Sequence, residues 1–427
     1  MIHKIVVSSR NLSYYREKGV KSVNDTIKLL EYNKGFISKI KSDSDGVFRY
    51  RCNQRLISGK TINGILHYVK GLCKQYPKTK ILVEFDFGNV EFADKLTYII
   101  FECICYTLIK DYQYSVRVVL YPMNNIYADN VESSPLRILS EFRKENGQNF
   151  LKCFDFYLYQ NHFRKVISRN KLANTNYLGS LLGELSSFFK FFNVKNECIE
   201  PIILMVTELA GNAHEHADSD CLIDIDVSQE YYKEHKSVRQ EGTYYGINIV
   251  ILNFSDVLLS SDMQTLLSTS SLNQLKPETN LVRYFKLKQA LDYHRNYFNE
   301  KYTYEDFCSL AILQDQISGR PFSSATPNAI AGGTGLTSLI KSVQDQCENN
   351  DCYVLSGAKS VYFNRDCLNY DKDKWLGFNL KSDFFNAIPD NNVITECFIY
   401  FPGTAYNLNF ILRSEDDKNE KNSFELT

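Results

Sequence analysis

Two apolar runs joined by a helical pattern mark the first part of the chain. Residues 80–87 (KILVEFDF) and 115–122 (SVRVVLYP) are rich in the β-branched and aromatic residues of buried strands, and residues 93–109 have a helical pattern. This order is typical of a βαβ unit with parallel strands and a right-handed crossover. The pattern therefore predicts a small α/β domain over residues 1–125.

The pattern changes twice in the middle of the chain. Residues 122–134 are rich in Asn, Pro and Ser, which is typical of a connector. The segment after the connector has a mostly helical pattern rich in aromatic residues and favours a helical bridge over residues 126–194. A long helical pattern then leads to two strand-like runs, 221–228 (CLIDIDVS) and 246–254 (GINIVILNF).

A second α/β domain is predicted over residues 195–413. A polar, helix-rich insertion (255–330) separates its first strands from a glycine-rich segment and from closing strand-like runs. Helices that alternate with strands in this way predict a mixed α/β layer structure. Residues 414–427 are charged and have no apolar period, which is typical of a disordered tail.

Composition narrows the class of protein. The chain has 427 residues, more than one core normally organises, and a formal net charge of -1 that gives no global attraction to nucleic acid or to an anionic membrane. Its 12 cysteines are scattered, without the CxxC spacing of a zinc site, which favours free thiols in a reducing compartment. The most apolar window, residues 96–109, contains Glu102 and is too short to span a bilayer. We therefore expect a cytoplasmic protein without a membrane partner, and a nucleic-acid partner is not indicated.

One flank of the long helix carries polar residues at helical spacing. In residues 208–217 (ELAGNAHEHA), Glu208, Asn212 and His216 recur every four residues and point to one side. A solvated face is one interpretation, because these residue types are common at surfaces. Gly211 favours a site, because an interior glycine costs about 1 kcal/mol relative to alanine and indicates a close approach of backbone or ligand.

The same helix has an apolar seam beside the polar flank. Pro201 suits the first turn of the helix, where its missing N–H has no cost. Apolar residues then recur at steps of four and three, at Ile202, Val206, Leu209, Ala213 and Ala217.

A glycine-rich segment, residues 331–335 (AGGTG), leads into an amphipathic helical pattern. Glycines that run into a helix N-terminus offer backbone N–H groups and the positive end of the helix dipole to a phosphate chain. Capping of the helix by Thr334, Thr337 or Ser338 is the alternative. A second segment, residues 58–72, is not a Walker A loop, because position 54 is Gln where that loop needs Gly.

Taken in order, these motifs resemble those of the GHKL superfamily, which includes gyrase-type topoisomerases, heat-shock chaperones, histidine kinases and mismatch-repair ATPases. ELAGNAHEHA is similar to the family's E-L-x-x-N-A-x-x-H-A helix, and GINIVILNF to its adenine-side strand. GGTGLTSLIKSV is similar to the second glycine box, and FPGTAYNLNFIL to the late Gly-Thr strand. The resemblance covers about residues 190–412 and implies a Bergerat-type α/β sandwich, a mixed sheet with helices on one face, that binds ATP and Mg²⁺.

The resemblance also implies roles for individual residues. Asn212 would coordinate the Mg²⁺ that bridges the phosphates, and Glu208 would activate the attacking water as general base. Thr404 would help to fix the adenine, and His216 would lie near the phosphates or serve packing. The second glycine box would wrap the phosphates with backbone donors; its members are Gly332, Gly333, Thr334, Gly335 and Leu336.

The first glycine box departs from the family pattern. The family has an Asp followed by glycines at the end of the adenine strand, whereas this chain has Asn253 without a glycine turn. Asn253 keeps an acceptor oxygen for the adenine amino group, and Asp256 would replace the carboxylate from a shifted register. Base identity and affinity therefore stay open.

The regions around the second domain narrow the range of functions that the sequence predicts. Residues 86–96 resemble the strand–helix junction of STAS domains, but Asp94 and Lys95 stand where those domains often have a phosphorylatable Ser. The helical segment before the second domain has no phosphoacceptor His, which argues against a histidine autokinase. The insertion takes the place of the family's ATP lid, where Arg320 is either a γ-phosphate contact or a surface residue.

Three functions remain open at this point. The leading prediction is a regulatory ATPase whose lid and N-terminal domain respond to the nucleotide state. The alternatives are a non-hydrolysing nucleotide sensor or scaffold in a multiprotein system, and an anti-sigma-type protein serine kinase. A protein partner is expected in each case, and a homodimer is compatible with the resemblance, although no coiled-coil heptads demand it.

Overall fold

The fold is given by a computed structural model of the chain. It describes residues 25–77, 79–120, 134–192, 194–228, 234–235, 238–239, 244–268, 281–315, 317, 334–346 and 352–414.

The N-terminal unit is built on a three-stranded parallel sheet of order β1-β3-β5, with a short parallel pair β2-β4. Its elements are α1 (Lys28–Tyr32), β1 (Val47–Arg51), β2 (Leu56–Ile57), α2 (Gly59–Gln75), β3 (Leu82–Gly88), β4 (Glu91–Phe92), α3 (Lys95–Lys110) and β5 (Ser115–Leu120). The predicted βαβ unit is confirmed as β3-α3-β5. The carboxylate of Asp94 accepts a hydrogen bond of 2.7 Å from the Thr97 N–H and so begins α3.

The rest of the described chain forms a six-stranded sheet of order β12-β13-β11-β8-β7-β6 with helices. The first part comprises a 3-10 helix (Pro135–Ser140), α4 (Lys144–Asp155), β6 (Phe156–Tyr159), β7 (His162–Ile167), α5 (Arg169–Leu172) and α6 (Thr175–Phe189). The second part comprises α7 (Asn196–Glu215), β8 (Cys221–Ser228), β9 (Glu234–His235), β10 (Val238–Arg239), β11 (Tyr244–Phe254), α8 (Ser261–Leu267), α9 (Leu281–His294), a 3-10 helix (Arg295–Tyr297), α10 (Tyr304–Ala311), α11 (Thr334–Gln346), β12 (Tyr353–Tyr362), a 3-10 helix (Arg365–Cys367) and β13 (Ile394–Arg413).

The six-stranded sheet corrects two predictions. Every pair of neighbours in it is antiparallel, so the mixed sheet expected for residues 195–413 is wrong. Strands β6 and β7 belong to this sheet, so residues 126–194 are not a purely helical bridge. Residues 156–159 (FYLY) are a continuous apolar run, which fits a strand as well as a helix, and the tight turn between β6 and β7 joins only antiparallel strands.

The large sheet is covered on both faces, and the helices of the C-terminal part lie on one of them, as expected. Helices α6, α7 and α11 pack on one face, where Ile249 lies, and the N-terminal unit packs on the other, where Val250 lies. Because of this double cover, β8 is buried at all eight positions. The molecule is therefore layered as small sheet, helices, large sheet, helices.

The predictions for the ends of the chain are tested only in part. The predicted disordered tail lies outside the described residues from 415 onward, as do residues 121–133 of the connector. Within the part of the chain that the structure describes, no helix combines the length and apolar composition needed to cross a bilayer.

Candidate functional site

Helix α7 carries the polar flank and the apolar seam predicted for it. The seam is confirmed at Ile202, Val206, Leu209 and Ala213, which are buried in the core beneath the large sheet. The helix begins at Asn196, so Pro201 lies in its interior rather than in its first turn. A proline there removes the N–H that would bond the carbonyl of residue 197. The helix is held in spite of this loss by its buried seam.

The polar flank of α7 is neither fully exposed nor fully buried. Glu208, Asn212 and His216 are each half-buried, whereas Glu215 on the same helix is exposed. One carboxylate oxygen of Glu208, Oε2, is shielded from solvent. The polar flank is therefore not a simply solvated face.

Gly211 does not mark a close approach. A Cβ at this position would lie 3.5 Å from Leu178 Cδ1, an ordinary van der Waals contact. The expectation that backbone or ligand packs against Gly211 is therefore not supported by any described neighbour, and the site has room for a methyl group.

Helix α11, which begins at Thr334, packs directly on α7. Its buried side chains Leu339, Ile340 and Val343 share the core of α7. Gly332, Gly333 and Arg320 lie outside the described residues, and only the backbone of Thr334, Gly335 and Leu336 is described. The predicted glycine box thus leads into a helix that contacts the polar-flank helix.

Asn253 and Thr404 lie opposite each other on the paired strands β11 and β13. Cross-strand partners project to the same face, which here is the face covered by α7 and α11. The glycine before Thr404 makes this pairing possible. Gly403 has φ +107°, and a Cβ there would collide with the carbonyl oxygen of Asn253.

The hydrogen bonds of Asn253 fix the orientation of its amide. Ser219 Oγ donates to the carbonyl of Ala213 at 3.1 Å, so toward Asn253 it can only accept. The group of Asn253 at 2.9 Å from this hydroxyl is therefore the Nδ2 amino group. This network joins the end of β11 to the C-terminal end of α7.

His216 ends α7 and bonds to the beginning of the insertion. Its Nδ1 lies 2.8 Å from Oδ2 of Asp262, which stands in the first turn of α8. Ser255 Oγ adds a hydrogen bond of 3.3 Å to the carbonyl of Ala217. The predicted site residue His216 is thus placed by a carboxylate that the sequence did not single out.

Asp256 faces the N-terminal unit. Lys28 Nζ and Tyr32 OH both bond to its Oδ1. The hydrogen bond to this carboxylate raises the pKa of Tyr32 to about 12. The register-shifted role of Asp256 in base recognition stays a prediction, whereas its contacts with α1 were not predicted.

A buried charged cluster joins α3 to β7 and β8, and the sequence interpretation did not predict it. All its side chains are at most 1% exposed, and its members are Lys95, Glu102, His162, Arg164, Asp224 and Asp226. Lys95 Nζ lies 2.6 Å from Asp224 and 2.5 Å from Asp226. Arg164 bonds to Asp224 through Nε and lies 2.5 Å from Glu102.

The neighbours of Asp224 in this cluster set the pKa of its carboxyl group. Burial alone would raise the pKa of the Asp224 carboxyl, but Arg164, His162 and Lys95 outweigh burial and hold this pKa well below its usual range. His162, Asp224 and Asp226 have the geometry of a metal-ligand group. The ammonium of Lys95 already contacts both carboxylates, so the donor set does not fit an additional metal cation.

The sequence did contain a signal for this cluster. Asp224 and Asp226 interrupt an otherwise apolar strand, and Glu102 stands inside the most apolar helix. Charges at such positions require partners, because a buried unpaired charge is very costly. The partners are the cross-strand neighbours Arg164 and His162, in register with Asp224 and Asp226.

Comparison of the chain with protein-family models, with curated proteins and with solved structures gives no significant match.

Proposed function

We propose that residues 195–413 form a GHKL-type nucleotide-binding domain, built on an antiparallel rather than a mixed sheet, that binds Mg-ATP and acts as a regulatory ATPase. The observation that carries this proposal is the packing of α7 against α11. It joins the helix that contains Glu208 and Asn212 to the helix that comes after the glycine box. Both helices cover the face of the sheet on which Asn253 and Thr404 lie opposite each other.

The chemistry of the site assigns one task to each element. The N-terminus of α11 and its preceding glycines bind the phosphates through backbone N–H groups and the helix dipole. The amide oxygen of Asn212 would hold Mg²⁺, which would neutralise phosphate charge there. Glu208 orients and deprotonates the attacking water, and the strand pair at Asn253 and Thr404 holds the base.

A thermal-shift experiment tests nucleotide binding. A ligand that binds only the native state stabilises it by about 2.7 kcal/mol at a concentration of 100 times Kd. ATP with Mg²⁺ is expected to raise the Tm of the full chain, and Asn212→Ala is expected to lose most of the Mg²⁺-dependent part. Absence of any shift with all nucleotides would exclude the site.

A turnover assay tests the general base. Glu208→Ala is expected to abolish ATP hydrolysis while the Mg-ATP thermal shift is retained. Glu215→Ala is the matched control, because Glu215 is an exposed carboxylate on the same helix. Unchanged hydrolysis in Glu208→Ala would remove this residue from the mechanism.

A non-hydrolysing nucleotide sensor is the second candidate, and Asn253 favours it. An uncharged amide replaces the family's base-binding carboxylate, and its amino group is already bonded to Ser219. A sensor predicts a Mg-ATP thermal shift without turnover in the wild-type chain. Steady hydrolysis that is lost in Asn212→Ala would exclude the sensor and support the ATPase.

A further inference from the structure

Helix α1 docks on the first residues of the insertion. We define the junction as residues 255–262, which connect β11 to α8. Lys28 and Tyr32, one turn apart on α1, both bond to Asp256 in the junction. The ring of Tyr32 also stacks on Tyr400 of β13, with ring centroids 5.5 Å apart and planes inclined by 8°.

Asn33, directly after α1, continues the large sheet where a strand is missing. Strand β11 ends opposite Gly403, so β13 extends beyond its neighbour. There the buried amide of Asn33 accepts a hydrogen bond from the Tyr400 N–H and donates one to the Tyr400 carbonyl, each of 2.8 Å. Both backbone groups of Tyr400 are thus satisfied by α1 in place of a strand.

The opposite side of the junction is bonded to the candidate site. The Ser255 N–H donates to the carbonyl of Pro402 at 3.2 Å, close to Thr404. Asp262 at the other end of the junction bonds to His216 on the polar flank of α7. The junction therefore lies between α1 and the residues proposed to bind nucleotide.

The relative strength of these contacts identifies what holds α1. The Asp256 side chain is 66% exposed, so its ion pair with Lys28 contributes little alone. The hydrogen bonds of Asn33 contribute more, because the Asn33 side chain is buried. The Tyr32 ring is 38% exposed, so its stacking on Tyr400 adds a smaller contribution. The ion pair and the Tyr32 hydroxyl therefore determine where the junction lies, whereas the hydrogen bonds of Asn33 hold α1 against β13.

We infer that α1 is a latch that holds the junction in the arrangement the nucleotide site needs, so that α1 docking and nucleotide binding favour each other. The N-terminal unit then controls the site through α1. This coupling rests on the proposed function, whereas the latch itself does not. Because coupling is reciprocal, a nucleotide must hold the latch closed by the same factor by which the latch improves binding.

Hydrogen exchange of the full chain tests the latch without any nucleotide. The reporters are the amides of Val257, Leu258 and Leu259, which donate to hydroxyl groups at 3.0, 2.9 and 3.0 Å. In the double variant Lys28→Met/Tyr32→Phe these amides are expected to exchange about tenfold faster, the effect of losing about one hydrogen bond. The amides of β3 are expected to keep their rates.

The control for exchange is Glu31→Gln, because Glu31 is an exposed residue of the same helix. It is expected to leave the junction amides unchanged. Asp256→Asn removes the carboxylate that Lys28 and Tyr32 contact. This variant is expected to show the same faster exchange as Lys28→Met/Tyr32→Phe. Unchanged exchange at the junction in both latch variants would overturn the latch.

Nucleotide titration then tests the coupling. In the wild-type chain, Mg-ATP is expected to slow exchange at the junction, and Lys28→Met/Tyr32→Phe is expected to weaken Mg-ATP binding about three- to tenfold. Equal or tighter binding in this variant would overturn the coupling. If the wild-type chain binds no nucleotide, the proposed function fails, and the exchange rates alone still decide whether α1 is a latch.

Discussion

Gly211 lies at a helix position where alanine is intrinsically preferred and where no described neighbour requires glycine. It is buried in α7, and a methyl group there would make an ordinary contact with Leu178. Gly211→Ala is therefore expected to raise the free energy of unfolding by about 0.5–1 kcal/mol, because alanine has the higher helix propensity and a smaller unfolded-state entropy. Urea unfolding followed by tryptophan fluorescence measures this change.

Gly71→Ala is the matched control, because Gly71 is also a buried helical glycine. A Cβ at Gly71 would overlap the backbone carbonyl of Ile37, which cannot move aside as a flexible side chain can. This variant is expected to lower the free energy of unfolding. A destabilised Gly211→Ala would mean that an undescribed neighbour occupies the space beside α7.

At the scale of elements, the charged cluster fixes α3 to the large sheet. Its ion pairs cost desolvation energy, so they contribute more to the choice of register than to net stability. Lys95→Met leaves Asp224 and Asp226 buried with less positive charge and is expected to lower the free energy of unfolding by about 3–5 kcal/mol. Lys39→Met, at an exposed lysine, is the control and is expected to change it by less than about 0.5 kcal/mol.

The pH dependence of stability follows from the lowered pKa of Asp224. A carboxyl group whose pKa is lowered by folding contributes stability above its unfolded pKa and loses it as pH falls through the folded pKa. In the wild-type chain this loss falls well below pH 4, since Arg164, His162 and Lys95 hold the proton off. Lys95→Met removes the Lys95 ammonium, so the acid unfolding of this variant is expected to begin at a higher pH. If acid unfolding of Lys95→Met begins at the same pH as in the wild-type chain, the assigned role of Lys95 is contradicted.

Local patterns predicted those elements whose partners are close in sequence. The βαβ unit was predicted because each of its strands is a continuous apolar run, and α7 because its seam repeats every three or four residues. Strands β6 and β7 were not, because the short apolar run 156–159 has no period that separates a strand from a helix and lies in a region of helical patterns. The order of the large sheet depends on which strands meet after folding, and no local period contains this information.

The candidate site was also predicted only where its residues form a local pattern. The helix motif and the strand pair at Asn253 and Thr404 follow from residues that are recognisable in sequence. The partners of Asp256 are Lys28 and Tyr32, more than 200 positions away. Neither residue type is distinctive, so only the folded chain shows that α1 reaches the junction.

At the scale of the whole molecule, α3 is shared by two layers. It contacts β5 of the small sheet and also β11 and β13 of the large sheet. The apolar face that the large sheet turns toward the N-terminal unit includes Leu222, Val250, Leu252 and Phe401. Separation of the two units would expose this face, at a free-energy cost of about 25 cal/mol per Å² of apolar surface. We therefore expect the two units to unfold together.

Two probes in the full chain test this expectation. The single tryptophan, Trp375, is buried in the core of the C-terminal unit, and the thiols of Cys103 and Cys105 are buried on α3. The urea midpoints from Trp375 fluorescence and from labelling of these two thiols are expected to coincide. Labelling of α3 while Trp375 keeps its native signal would mean that the N-terminal unit opens separately. In that case control of the nucleotide site would come from release of the whole unit, and α1 would be only its last contact.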